Sequence, residues 1–119
     1  MRRLIRGFGY AFKGMGYAFS TQLNIRIHII LTAVALILGL SLHVSTPDWL
    51  WLLLCIALVL SAELLNTAIE TLTDLVSPGY HEKAGRVKDI AAAAVTVTAA
   101  FALVTGCIIF LPKIILLFK

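Results

Sequence analysis

Charge is what this chain has least of. Only 13% of its 119 residues are Asp, Glu, Lys or Arg, and 61% are hydrophobic. Mean hydropathy is +0.99. A soluble domain carries about 25% charged and 45–50% apolar residues, so these proportions exclude one and indicate a chain that lives in a bilayer. Cysteine is scarce too. Cys55 and Cys107 lie inside apolar stretches with no CxxC spacing and no clustered histidine. That pattern gives no zinc site and leaves two free thiols behaving as small hydrophobes. There is no Walker motif, no kinase glycine loop and no HxxEH-type signature, so any nucleotide site here is unconventional.

Three apolar stretches are long enough to cross about 30 Å of hydrocarbon. They predict spans over 25–44, 49–75 and 88–111 within one domain covering 1–119. The first span has no small-residue cleavage site behind it and follows a basic segment, which argues against a cleaved signal peptide. Ahead of it, Leu4, Phe8, Phe12, Met15 and Phe19 recur at helical spacing while Arg2, Arg6 and Lys13 face elsewhere. This predicts an amphipathic surface helix over 2–19. Of the ten Lys and Arg, all but Lys113 and Lys119 fall in the N-terminal segment, at the start of the first span, or in the link carrying Lys83, Arg86 and Lys88. The link Ser45, Thr46, Pro47, Asp48 has none. The positive-inside rule then places the N-terminus and the second link in the cytoplasm. The net charge of +4 suits this topology and anionic lipid, and does not point to nucleic acid.

The few acidic residues are not scattered. Glu63, Asn66, Glu70 and Asp74 stand at i, i+3, i+7 and i+11, which on a helix falls within a wedge of about 80°. A charged group near mid-bilayer costs from about 2.5 to over 10 kcal/mol, so such a stripe marks a functional site. The second helix is expected to continue past the membrane until Ser77-Pro78-Gly79, a strong turn signal. The stripe therefore descends from the inner bilayer into the cytoplasmic headgroup zone, with Glu63 about 10 Å deeper than Glu70. Three helices cannot surround such a stripe without exposing it to lipid, and the alanine-rich third span permits close helix contact, so a homo-oligomer is expected.

A carboxylate face with an amide in it suits a hard cation such as Mg²⁺, which takes one or two carboxylates plus substrate phosphates. Lys88 and Arg86 on the adjoining link supply positive charge to phosphate oxygens. Together these are the minimum parts for phosphoryl transfer, which is mostly positioning and charge stabilisation. The plainer alternative pairs Asp74 or Asp89 with Lys88 or Arg86 as interfacial salt bridges. A rival of another class is a small cation- or proton-coupled transporter subunit, since an intramembrane Glu also carries ions. Transport sites lie near the midplane, whereas this stripe slides toward the cytoplasmic edge.

The run Glu63-Leu64-Leu65-Asn66-Thr67-Ala68-Ile69-Glu70, followed by Asp74 and Lys88-Asp89, resembles the signature of the small prokaryotic diacylglycerol kinase family, which also contains the undecaprenol kinases. The likeness covers nearly the whole chain, including Tyr80-His81-Glu82 leading to Gly85-Arg86. It implies an all-α membrane protein of a surface helix and three transmembrane helices, assembled as a homotrimer with shared active sites in a bacterial cytoplasmic membrane. It implies ATP- and Mg²⁺-dependent phosphorylation of a membrane alcohol, diacylglycerol by preference and undecaprenol as the alternative. By match to the motif, Glu63 is implied as the general base that meets the lipid hydroxyl and Glu70 as the principal metal ligand. Arg3, Asn66, Glu70, Asp74, Arg86, Lys88 and Asp89 are implied to frame the nucleotide, with Lys13 near the lipid. One position departs from the pattern: where the family has a metal-binding Glu before the first span, this chain has Gln22, whose amide oxygen removes one negative charge from the site.

Overall fold

The computed structural model describes residues 1–119, and four helices account for nearly all of them: α1 (Arg2–Thr21), α2 (Leu23–Ser41), α3 (Thr46–Val76) and α4 (Glu82–Leu117). The last three are long and apolar enough to cross a membrane. With 31 and 36 residues, α3 and α4 reach about 46 and 54 Å at 1.5 Å per residue, well beyond the hydrocarbon layer. Both are therefore longer than the hydrocarbon layer is thick.

Each boundary has a local cause. The first span is expected to reach Val44, but α2 stops at Ser41. His43 takes a left-handed conformation (φ 51°). There its N–H bonds to Leu40 O and the N–H of Val44 to Gly39 O, the Schellman arrangement that closes a helix. Val44 then folds back beside Leu38 in an apolar cluster. The expected link Ser45–Asp48 is mostly helix. Ser45 caps α3, accepting from the N–H of Asp48 at 3.3 Å, while Pro47 and Asp48 occupy the first turn, where proline and an acidic side chain are favoured. The third span is expected from 88 to 111, yet α4 begins at Glu82, capped by His81, and continues through Pro112 to Leu117. The surface helix is expected to end at 19 and runs to Thr21, where Gln22 breaks the chain with an extended backbone (φ −117°, ψ 116°).

The core sits at the link end of the α2–α3 hairpin. Val44, Leu52, Ile109 and Phe110 are buried there, with Ala35, Leu38, Leu42, Trp49 and Ile114 packed around them. Gly39 lets the indole of Trp49 lie against the α2 backbone: a Cβ on that glycine would stand 2.6 Å from Trp49 Cη2. Further along, α3 packs chiefly on α4, whereas α2 and α4 hardly meet. An apolar groove of about 530 Å³ runs between them. Only 14 of 119 residues are buried, so one chain alone leaves most of its apolar surface to lipid or to other chains.

Candidate active site

Burial along the stripe on α3 is graded. Glu63 is 2% exposed, Asn66 8%, Glu70 half-buried and Asp74 exposed. The helix alone sets this order, because one face of α3 leaves the packed bundle as it extends past it. Thr67, also buried, ties its hydroxyl to Glu63 O at 3.0 Å, and Thr71 does the same to Thr67 O at 2.8 Å. These bonds hold hydroxyls to the backbone and leave the carboxylates for other work.

Three pairs come together on or beside the stripe. Asn66 Nδ2 donates to Glu70 Oε1 at 3.1 Å, leaving the buried Asn66 Oδ1 without a partner. Deeper in, Glu63 Oε1 lies 3.0 Å from Nε2 of His28 on α2. This is a close polar contact without an aligned N–H···O direction, since Glu63 Oε1 has no hydrogen-bond donor in line. At the far end of the stripe Lys88 Nζ donates to Asp74 Oδ1 at 2.5 Å, which ties the start of α4 to the end of α3. Arg86 bonds instead to Glu82, one turn away on its own helix, at 2.7 Å. The salt-bridge arrangement weighed for Asp74 is thus realised in the single chain.

The remaining residues expected at the site do not converge on it through any polar contact. Asp89 is exposed. Gln22 is half-buried at the break between α1 and α2 and its side chain does not cap α2. On α1, Arg3 and Lys13 are both exposed, and the Lys13 ammonium lies 5.9 Å from the Tyr10 ring centroid. Nowhere do three or more His, Cys, Asp or Glu side chains gather as a complete metal centre. The oxygen atoms nearest to one are Glu70 and the orphaned Asn66 Oδ1, a hard donor set that fits Mg²⁺ with substrate phosphates completing its shell.

Sequence reasoning missed His28 as a partner of Glu63. The signal was present but long-range: an imidazole inside an apolar run, which needs a polar neighbour. Nothing in the spacing of α2 says that the neighbour lies 35 residues later in the chain.

The family described as "Prokaryotic diacylglycerol kinase" matches residues 9–110. The chain is 36% identical to the undecaprenol kinase of Bacillus subtilis over 96% of its own length and 93% of that protein. It is 44% identical to the diacylglycerol kinase of Synechocystis, over 94% of this chain and 65% of the relative. With the diacylglycerol kinase of Escherichia coli K12 it shares 33% identity over 90% and 88% of the two chains. Both named substrates are lipid alcohols, and a lipid kinase is favoured over the transporter alternative. The protein is a lipid kinase, and the chain belongs to the prokaryotic diacylglycerol kinase family.

Proposed function

We propose that the protein transfers the γ-phosphoryl group of ATP to the hydroxyl of diacylglycerol held in the cytoplasmic leaflet. The observation that carries this reading is the graded stripe itself. Its deep end, Glu63, lies beside an apolar groove, and its outer end, Asp74, is joined to Lys88. A lipid approaches such a site from the membrane and a nucleotide from the water, so the two meet along one helix face. Glu63 drives deprotonation of the acceptor. Asn66, Asp74, Arg86, Lys88 and Asp89 face the nucleotide, with Lys88 exchanging Asp74 for a phosphate when ATP enters. Arg3 and Lys13 on α1 stand over the same cytoplasmic surface.

Glu70 and Asn66 Oδ1 would hold Mg²⁺, with Gln22 as a neutral contributor from the α1–α2 break. The metal, when bound, neutralises charge on the transferring phosphate. The chain's own share is to fix those oxygens: the Asn66–Glu70 hydrogen bond orients one carboxylate oxygen and leaves the other free.

Three copies would complete the site. Large apolar side chains stay exposed on all three spanning helices, and the groove between α2 and α4 is open on one side. A homotrimer covers part of that surface and places α1 of one copy near the stripe of another. The exposed Leu4, Phe8, Phe12, Met15 and Phe19 suit α1 to lying on the cytoplasmic face of a bacterial inner membrane, with the N-terminus inside. The charge asymmetry of the links supports the same orientation.

Undecaprenol is the second reading, and the relative from Bacillus subtilis favours it. Purified protein in mixed micelles distinguishes the two. ATP consumption is expected to depend on added diacylglycerol and to run faster with it than with undecaprenol. Turnover that ignores both alcohols sinks the proposal, and a clear preference for undecaprenol reassigns the substrate.

A further inference from the structure

We propose that His28 decides which hydroxyl Glu63 serves: its imidazole orients the carboxylate and covers it, so that a lipid alcohol reaches the base and water does not. The proposal rests on the lipid-kinase reading of this site. His28 is a positioning residue on this account, and Glu63 remains the group that takes the proton.

The covering follows from where the two side chains stand. Glu63 is 2% exposed and does not line the apolar groove, whereas His28 does. Val59 lines the groove from α3 and precedes Glu63 by four residues, on the same helix face. The carboxylate thus continues the α3 wall, and the group in polar contact with it is the imidazole, Nε2 to Oε1 at 3.0 Å. The His28 side chain is itself only 19% exposed. The rest of the wall offers a carboxylate little. Leu31, Ile56 and Leu103 are hydrocarbon, and the Thr32 hydroxyl donates to His28 O at 2.7 Å.

The orienting follows from the quality of the contact. A buried carboxylate needs a polar partner, and His28 supplies one that is close but off line, since Glu63 Oε1 has no aligned donor. Hydrogen bonds weaken steeply as their angle falls. Such a partner holds the carboxylate in place and yields to a hydroxyl that arrives in line. With a lipid alcohol, the hydroxyl proton moves to Glu63 as the lipid oxygen bonds to the γ-phosphorus of ATP. The bond from that phosphorus to the β,γ-bridging oxygen breaks, and its electron pair leaves with ADP. Water in the same place would undergo the same transfer and give inorganic phosphate and ADP. A lipid brings the binding energy of its apolar chain to displace the ring, and water brings none.

The test measures lipid phosphorylation and inorganic phosphate release side by side, on the full-length protein in mixed micelles of detergent and diacylglycerol. His28→Ala uncovers Glu63. It is expected to lower kcat for the lipid by about 10²-fold, the loss that a misplaced catalytic group brings, with the KM for ATP unchanged. Phosphate release relative to lipid phosphorylation is expected to rise by about tenfold or more, because closure of a site is what prevents hydrolysis. His28→Gln, whose amide nitrogen reaches the position of Nε2, is expected to recover most of both. Adding Glu63→Gln to His28→Ala is expected to abolish the extra phosphate release, since water then lacks its base. His28→Asn, too short to cover Glu63, replaces the alanine variant if that one does not fold. A ratio of phosphate release to lipid phosphorylation that stays at the wild-type value in the short variant overturns the proposal, whatever the rate. So does extra hydrolysis that survives Glu63→Gln, or a glutamine variant no better than alanine. Wild-type protein that phosphorylates no lipid alcohol overturns the kinase reading and this proposal with it. An active wild type with an unchanged ratio in His28→Ala overturns this proposal alone.

Discussion

The two ends of the α2–α3 hairpin are joined by the same pair of helices and built on opposite principles. At the link end, Gly39, Val44, Trp49 and Leu52 interlock with Ile109 and Phe110 from α4, without an ionisable group among them. At the open end, the same helices bring His28 against Glu63, and α3 continues to Asn66 and Glu70. Packing at the link end satisfies its own contacts. The open end retains two buried oxygens without aligned donors, Glu63 Oε1 and Asn66 Oδ1, which is the condition of groups that await a ligand. Stability should therefore depend on the first end and turnover on the second.

The sharpest way to break this division is Glu70→Gln. The amide keeps the shape and removes the charge that would hold Mg²⁺, so turnover is expected to fall by about 10²–10³-fold, in the range seen when a transition-state charge partner is lost. The thermal midpoint should barely move, because Glu70 is half-buried and bonded only to Asn66. Activity assayed across a Mg²⁺ titration decides it. Near-normal rates at limiting Mg²⁺ would remove Glu70 from the metal's shell.

Gly39→Ala is the converse. Its Cβ would stand 2.6 Å from Trp49 Cη2 and 2.9 Å from Cζ2, so the indole must shift or the helices must part. Overpacking of this kind costs about 1–3 kcal/mol. The loss should appear as earlier unfolding in denaturant and altered tryptophan fluorescence, with kcat unchanged at temperatures where the protein is folded. Combining it with Trp49→Leu is expected to recover part of the loss, since the two positions touch and their effects should not add. Strict additivity would mean that the close approach is not what Gly39 is for.

A smaller effect is expected at the cap. Ser45→Ala removes the acceptor for the Asp48 N–H and should cost about 1 kcal/mol. An unchanged unfolding midpoint would show that Pro47 and Asp48 start α3 without it.

That cap also marks where the sequence was readable and where it was not. Spans, stripe and turn were legible because each rests on local periodicity or composition. The stretch Ser45–Asp48 read as a link because it is a short polar break between two apolar runs, although Ser, Pro and Asp at those positions equally spell a helix start. His43 hid the end of α2, since a left-handed cap is signalled by glycine far more often than by histidine. Within the site, the motif carried Glu63, Asn66 and Glu70 in one run of chain. The partner of Glu63 was out of reach, because the helix pairing that brings His28 to it is set by packing at the other end of the hairpin.

The smallest expected change tests whether the rim at the start of α4 belongs to either end. Arg86 and Glu82 form an exposed pair one turn apart, 2.7 Å between Nη2 and Oε1. Such i,i+4 pairs contribute about 0.3–0.5 kcal/mol, screened further by salt. Arg86→Ala should therefore leave the unfolding midpoint nearly unchanged. If the guanidinium leaves Glu82 for a phosphate when ATP binds, the same variant raises the KM for ATP while kcat at saturation stays close to wild type, because the contact would be made in ground state and transition state alike. Glu82→Gln, which frees Arg86 from its resting partner, should then move KM the other way. If both variants leave the KM for ATP untouched, Arg86 does no more than hold the first turn of α4, and nucleotide recognition on this helix falls to Lys88 and Asp89 alone.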